Sequence, residues 1–424
     1  MDSSAPRTPP GVMWRLSIMM FLQYAIWGAW LPLFFQFLTQ HRGFSPEATG
    51  TLFSIGAVGA LAAPFVAGQI ADRWFATQRF LGISHLAGGA LVWWLATVES
   101  YTGLLVVGVL YSLIYAPTLP LTNSLSFHHL ADRDRDFGKV RVWGTVGWIV
   151  AGIGMGQWLL HMHTPSDALP DVVKSAQFAG MADSFKLSAI LGTILGFFCF
   201  TLPDTPPQKG KQPFAAAEAF KECLQSPLLV LFLIAFPISC VHQFYFVHTA
   251  GFLNRLDVQT PWIDAIFGVG GGGAMTIGQM AEIAVLAFMP LLVKKFSRKT
   301  LLLVGLTAYV ARFAVFAYLP TPTAVFPALA LHGLCFDCFF FICFMIVDEN
   351  TTSDVRASAQ SLFNLVIIGF GTIVGNLAAG RVDAYAAGND QTLFSVPMFA
   401  TIICLFALLL FYPNPREKQS ESTP

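Results

Sequence analysis

The chain has 424 residues, of which 55% are hydrophobic and only 11% charged, with 24 basic and 24 acidic side chains and a formal net charge of +0. A water-soluble fold of this length could not bury so much apolar surface, and balanced charge without a sustained basic stripe argues against a nucleic-acid partner. The mean hydropathy of +0.62 belongs to a chain that crosses a membrane many times.

Residues 1–12 are polar and Pro-rich and lack a short apolar core followed by a small-residue cleavage site, so they read as a cytoplasmic tail and not as a signal peptide. With ~20 apolar residues per bilayer crossing, spans are expected near 14–38, 48–70, 80–98, 103–127, 141–160 and 185–202. A polar linker at 203–225 carries Pro203, Pro206, Pro207, Pro213, Lys209 and Lys211, and its 214–224 stretch has the pattern of an amphipathic helix on the membrane surface. Further spans are expected near 228–253, 273–293, 300–319, 325–347, 357–378 and 393–411, ahead of a polar tail at 414–424. The expected fold is therefore an all-α membrane protein, with twelve transmembrane helices in two six-helix bundles at 13–202 and 226–413. About 17 of the 24 Lys and Arg residues fall on the side that holds both termini and the linker, which makes that side cytoplasmic in a plasma membrane, the inner membrane if the source is bacterial.

Few ionisable residues lie inside the spans: Arg141, Glu282, Arg312 and Asp337. A charge at the centre of a bilayer helix costs roughly 3 kcal/mol on insertion scales, so it is kept where it faces a polar cavity or a partner. No Walker A or dinucleotide fingerprint is present, so neither ATP hydrolysis nor a bound cofactor is expected to drive the work. Without a nucleophile or metal-ligand set in the spans, an enzyme is not expected. Pairs of His and Cys such as His128 and His129, or Cys335 and Cys338, have no second ligand group and no strand pattern beside them.

The loop GQIADRWFATQR, from Gly68 to Arg79, resembles the cytoplasmic loop motif of the major facilitator superfamily. Asp72 and Arg73 there would form charge-assisted contacts that hold one conformation closed, a gating role. Within that superfamily, seven dispersed segments resemble the nucleoside:proton symporter family: FLQYAIWGAWLP from Phe21, YAPTLPLTNSLSF from Tyr115, RVWGTVGW from Arg141, GQMAE from Gly278, ARFAVFAY from Ala311, CFD from Cys335 and RASAQ from Arg356. The resemblance implies a secondary transporter that imports nucleosides through alternating access, with a proton as coupling ion. It also leaves a sugar, glycoside or modified nucleoside as the alternative cargo, and a membrane nutrient sensor as the alternative outside transport.

On the fifth span Arg141, Thr145 and Trp148 are spaced i, i+4, i+7 and share one face, where a guanidinium, a hydroxyl and an aromatic plane suit a heterocycle on a sugar. The resemblance implies substrate contact for all three, and the alternative for Arg141 is a snorkelling anchor at the cytoplasmic boundary. On the eighth span Gln279 and Glu282, at i and i+3, offer an amide for base edges and a carboxylate for ribose hydroxyls. The tenth carries His332, Phe336 and Asp337. Phe336 is expected to stack on the base and Asp337, a carboxylate in mid-run, to carry the coupled proton, with Glu282 as the second choice; an ion pair of Asp337 with Arg312 is the competing reading. Gln243 on the seventh span matches a family substrate contact. Phe246 and His332 stand where the family often has Asn and Tyr, which changes the hydrogen-bond inventory of the site. Gln23, Trp27 and Asn123 are further pocket candidates, or glue between helices. A monomer in the lipid bilayer suffices for all of these roles.

Overall fold

A computed structural model describes residues 7–66, 76–206, 216–256, 261–352 and 355–413. Among them the chain is helical, with no strand. In the first part of the chain the helices are α1 (Pro10–Gln36), α2 (Pro46–Val66), α3 (Thr77–Leu95), α4 (Tyr101–Tyr115), α5 (Thr118–His129), α6 (Arg133–Met162), α7 (Pro170–Gly180) and α8 (Asp183–Cys199). A short helix, α9 (Ala216–Cys223), precedes α10 (Leu228–Arg255), α11 (Pro261–Phe267), α12 (Gly272–Lys295), α13 (Arg298–Tyr318) and α14 (Pro322–Cys335). The last are α15 (Ile342–Glu349), α16 (Arg356–Asn364), α17 (Thr372–Ala386) and α18 (Asp390–Phe411).

Local chemistry explains where these helices begin. Pro10, Pro170 and Pro322 sit in first turns, where a missing N–H is no loss. The side chains of Ser100, Asp132, Ser297 and Asn389 each accept a hydrogen bond from the backbone N–H three residues on, capping α4, α6, α13 and α18. At the other end of α17, Ala387 and Gly388 take φ values of 48° and 85° and stop the helix.

Nine helical segments among the described residues are long and apolar enough to cross a membrane, some of them continuous across two numbered helices, such as Tyr101–His129 and Pro322–Glu349. The other three expected spans fall on α2, α3 and α6, which are helical. The faces turned outward are themselves apolar: Ile403, Leu410 and Phe411 of α18 are 70%, 75% and 69% exposed, as lipid contact demands. Asp72 and Arg73, the expected gating pair, lie outside the described residues.

The chain forms two compact units, Met1–Ser45 with Ile55–Lys211 and Leu253–Thr276, and Pro46–Ser54 with Gln212–Phe252 and Ile277–Pro424. In the first, α1 packs on α6 and α8 and α3 packs on α8, over a core that includes Leu16, Met19, Phe37 and Phe185. The segment at 253–276 joins this unit through glycine: Gly156 approaches the backbone of Phe267 and Gly268, and the Gln36 amide donates to the Gly270 carbonyl at 2.9 Å. Gly268 has φ +68°, so a side chain there would be both strained and blocked by Gly156. In the second unit α13 packs on α14 and α18 around Tyr309, Phe313, Phe316 and Phe394. The segment at 46–54 joins it where a Cβ on Gly50 would stand 2.6 Å from the Asn376 carbonyl oxygen and 3.2 Å from Gly380, so backbone lies directly on backbone.

At the start of α6, ahead of the expected span, the N-terminal segment is tied down by a buried carboxylate. Asp136 Oδ2 accepts from the Thr8 hydroxyl at 3.1 Å and from Arg135 at 2.8 Å, while Lys139 donates to Oδ1 at 2.9 Å. The Thr8 oxygen in turn accepts from the Ala131 N–H. The Arg135 and Lys139 hydrogen bonds hold the Asp136 carboxyl well below the usual carboxylate range. A depressed folded-state value means the contribution is complete above the ordinary carboxylate range and is lost only as pH falls through the lowered value, so neutral-to-mild-acid changes should leave this tether intact. Asp136→Asn is expected to free the segment at neutral pH, read as several-fold faster tryptic cleavage after Arg7.

Candidate functional site

In the first unit the approach of α1 to α6 sets the site. Ala25, Ala29 and Ala151 form a small-residue core between the two helices. A Cβ on Gly28 would stand 2.8 Å from the Trp148 Cα, and one on Gly147 would run into the Phe21 backbone. Small residues at helical spacing let the two backbones touch, which fixes the rotation of α6 and hence its Arg141, Thr145 and Trp148 face. Arg141, half-buried, lies with its guanidinium 4.2 Å from the centre of the Tyr24 ring, a cation–π contact on α1. Trp148 meets Trp27 edge to face at 6.2 Å, and Trp27 lies 6.1 Å from Tyr115. Thr145, half-buried, stands on α6 between them in sequence.

Gln23 is in part glue. Its amide donates to the Thr118 hydroxyl at 2.8 Å, and its backbone carbonyl accepts from the Tyr115 hydroxyl at 2.6 Å. Its Oε1, like Oδ1 of Asn123, is buried with no hydrogen-bond partner. Unpartnered polar atoms cost roughly 1–3 kcal/mol each, so these two acceptors mark positions where a donor would be favoured.

The second unit gathers the acidic residues. Asp337 is 1% exposed, and its Oδ2 has no hydrogen-bond partner. It lies in Phe336–Phe341, where α14 widens into a π-helical turn before α15. Such a turn frees backbone geometry at the cost of regular pairing and recurs at functional positions. Glu282, half-buried on α12, lies within electrostatic reach of Asp337. The approach of α12 to α14 explains why: a Cβ on Gly333 would stand 2.6 Å from Ala281 C and 2.7 Å from Glu282 N, so only glycine lets the helices touch at this level. Gln279, one turn before Glu282, is 5% exposed with an unpartnered Oε1.

Arg312 does not pair with Asp337. Its Nη1 donates to Nδ1 of His332 at 3.0 Å, and its guanidinium is walled by Tyr245, Tyr309 and Phe313. The competing ion-pair reading therefore fails on the position of Arg312: the guanidinium is held by an imidazole and rings, and Asp337 stays available. His332 stacks on Tyr245 at 4.4 Å and on His242 at 5.4 Å, and meets Phe246 edge to face at 5.9 Å. Phe336, half-buried, lies 6.0 Å from His242 and 5.8 Å from Phe340. Gln243 makes one long contact, 3.4 Å from its Nε2 to the Thr372 hydroxyl on α17.

Several site residues escaped the sequence reading. Tyr24 holds Arg141, and His242 joins the aromatic stack while its Nδ1 meets the Tyr309 hydroxyl at 2.6 Å. The signal was helical spacing: His242 and Tyr245 are i, i+3 on α10, as are Tyr309 and Arg312 on α13.

The profile of the family described as nucleoside H+ symporter matches residues 11–417. YegT of Escherichia coli (strain K12) is 31% identical over 425 residues, covering 96% of this chain and 95% of its own. The xanthosine permease of the same organism is 29% identical over 415 residues, with 94% of each chain covered. The crystal structure of the nucleoside transporter NupG superposes with a TM-score of 0.81 at 24% identity, over 94% of this chain and 98% of that one, so the two chains share a fold. With acidic, amide and aromatic side chains assembled on that scaffold, the chain belongs to the nucleoside H+ symporter family.

Proposed function

We propose that this protein imports nucleosides across the plasma membrane by proton symport, through alternating access of a twelve-helix carrier with both termini in the cytoplasm. The observation that carries the mechanism is Asp337: buried, on a π-helical turn, with an unpartnered carboxyl oxygen and a second carboxylate within electrostatic reach. Two carboxylates in a poorly hydrated setting oppose each other's charge, so uptake of one proton relieves both desolvation and repulsion. The protonated carrier then closes over its cargo at lower cost, and proton loss on the cytoplasmic side resets it. Arg141, Thr145, Trp148, Gln243, Gln279, Glu282, His332 and Phe336 are the residues to which we assign substrate recognition.

Uptake of radiolabelled uridine and xanthosine into proteoliposomes with an acidic exterior tests the reading. Accumulation that a protonophore abolishes is the expected result, and uptake indifferent to the protonophore would overturn it. Gln279→Ala is expected to raise KM about tenfold, because a buried amide that pairs only with substrate contributes one hydrogen bond there and none in the empty carrier. A glycoside with a different aglycone is the second reading, favoured by Phe246 on the edge of His332 where an amide would widen the polar surface. Competition of uridine uptake by a nucleoside and glycoside panel separates the two.

A further inference from the structure

Arg312 heads the largest fully buried side chains among the described residues, at 0% exposure. Three aromatic rings lie 4.4 to 5.0 Å from its guanidinium carbon, and its Nε and Nη2 have no hydrogen-bond partner. Its one hydrogen bond runs to Nδ1 of His332. A guanidinium has donors only, so Nδ1 must present its lone pair, and the single proton of the imidazole must sit on Nε2. Turning the ring over would set Cδ2–H against the guanidinium and forfeit that bond. Its plane lies close to those of Tyr245 and His242, each at an interplanar angle of 21°, with the Phe246 edge against it. Gly278, the residue before Gln279, packs on its Cβ: a side chain there would meet that atom at 2.9 Å. His332 is thus locked against the α12 segment that carries Gln279 and Glu282.

We propose that Arg312 is a positioning residue for substrate recognition, acting through His332: it holds the imidazole in the Nε2–H form, so that position 332 offers cargo one hydrogen-bond donor and no acceptor. The cargo group this suits has a lone pair and no hydrogen, such as the carbonyl oxygen of an oxo-base or an unprotonated ring nitrogen. A phenol in the same position would both donate and accept, and would not discriminate in this way. The proposal takes the class of cargo from the nucleoside reading above, whereas the tautomer stands independently of it.

The charged and titratable groups around His332 are Arg312 and Tyr309 from α13, His242 and Tyr245 from α10, Glu282 from α12, and Cys335 and Asp337 beside it in sequence. Purified full-length protein labelled with 15N-histidine gives the direct test, with the His332 resonances assigned by their loss in His332→Gln. The wild type is expected to show an unprotonated Nδ1 and a protonated Nε2 at neutral pH. Arg312→Lys, which keeps a donor, should preserve that pattern, and Arg312→Met should release a mixture of the two tautomers. A wild-type His332 protonated on Nδ1 would overturn the proposal without need of any Arg312 variant.

In proteoliposomes, Arg312→Met is expected to raise the KM for uridine about tenfold, with no further rise when it is added to His332→Phe. Equal increases in both backgrounds would mean that Arg312 acts by another route, and would also overturn it. Wild-type protein that moves no nucleoside would instead remove the transport reading, and the 15N spectrum alone would then decide the role of Arg312.

Discussion

Asp337→Asn is expected to abolish accumulation of nucleoside against its gradient while leaving exchange of nucleoside across the membrane intact. The amide has the shape of a protonated carboxyl but never ionises, so the variant is held in the state that the coupled proton otherwise creates. It should therefore bind cargo and interconvert between its faces, but take nothing from a proton gradient. For one proton per cargo, each unit of pH difference supports about tenfold accumulation, and that factor is what the variant should lose. Stability supplies an independent check. Oδ2 has no hydrogen bond to forfeit and the site has a second carboxylate within reach, so removing the charge should leave the melting temperature no lower than that of the wild type. Glu282→Gln provides the contrast: if it abolishes proton-driven uptake while Asp337→Asn retains it, the coupling role passes to Glu282. Loss of accumulation with a lowered melting temperature in Asp337→Asn would point to a structural carboxylate.

Much of this site could be read before any coordinates, because the bilayer makes charge and periodicity unusually informative. Asp337 and Glu282 announced themselves as carboxylates inside apolar runs, the GQMAE segment carried Gln279, and the family resemblance pointed separately to Gln243. What one-dimensional spacing could not convey was partner choice. Arg312 and Asp337 looked like natural counter-ions on successive helices, but Arg312 is turned into a pocket of rings and bonded to His332. The span count met a similar limit: α6 carries enough Gly and charge that its apolarity is diluted, although it lies at the heart of its unit. Glycine was the least readable residue. Of the run Gly152, Gly154 and Gly156, the first and last face neighbouring chain, whereas Gly154 is exposed with nothing within 4 Å. At a spacing of two residues a helix turns about 200°, so a run that looks uniform in sequence presents opposite faces.

Gly333 turns that geometry into the second large expected effect. Gly333→Ala places a carbon 2.6 Å from the Ala281 carbonyl carbon and 2.7 Å from the Glu282 nitrogen, and the obstacle is backbone, which cannot rotate away as a side chain would. Separating α12 from α14 at this level costs of the order of 1–3 kcal/mol in overpacking, and a Val here should cost more. The functional loss should exceed the structural one. The same contact sets the distance between Glu282 on one helix and Asp337 on the other, so even a folded Gly333→Ala carrier is expected to take up uridine poorly, with proton coupling weakened before binding is lost. Gly154→Ala is the matched control. It is also a helical glycine, but it opens onto free space, so it should gain about 0.5–1 kcal/mol of helix stability and transport normally. A thermal melt of the two purified variants, paired with uridine uptake under a pH gradient, separates close helix approach from a general intolerance of alanine. Wild-type uptake and melting in Gly333→Ala would mean that α12 and α14 do not meet at this glycine and that this contact does not bring the two carboxylates together.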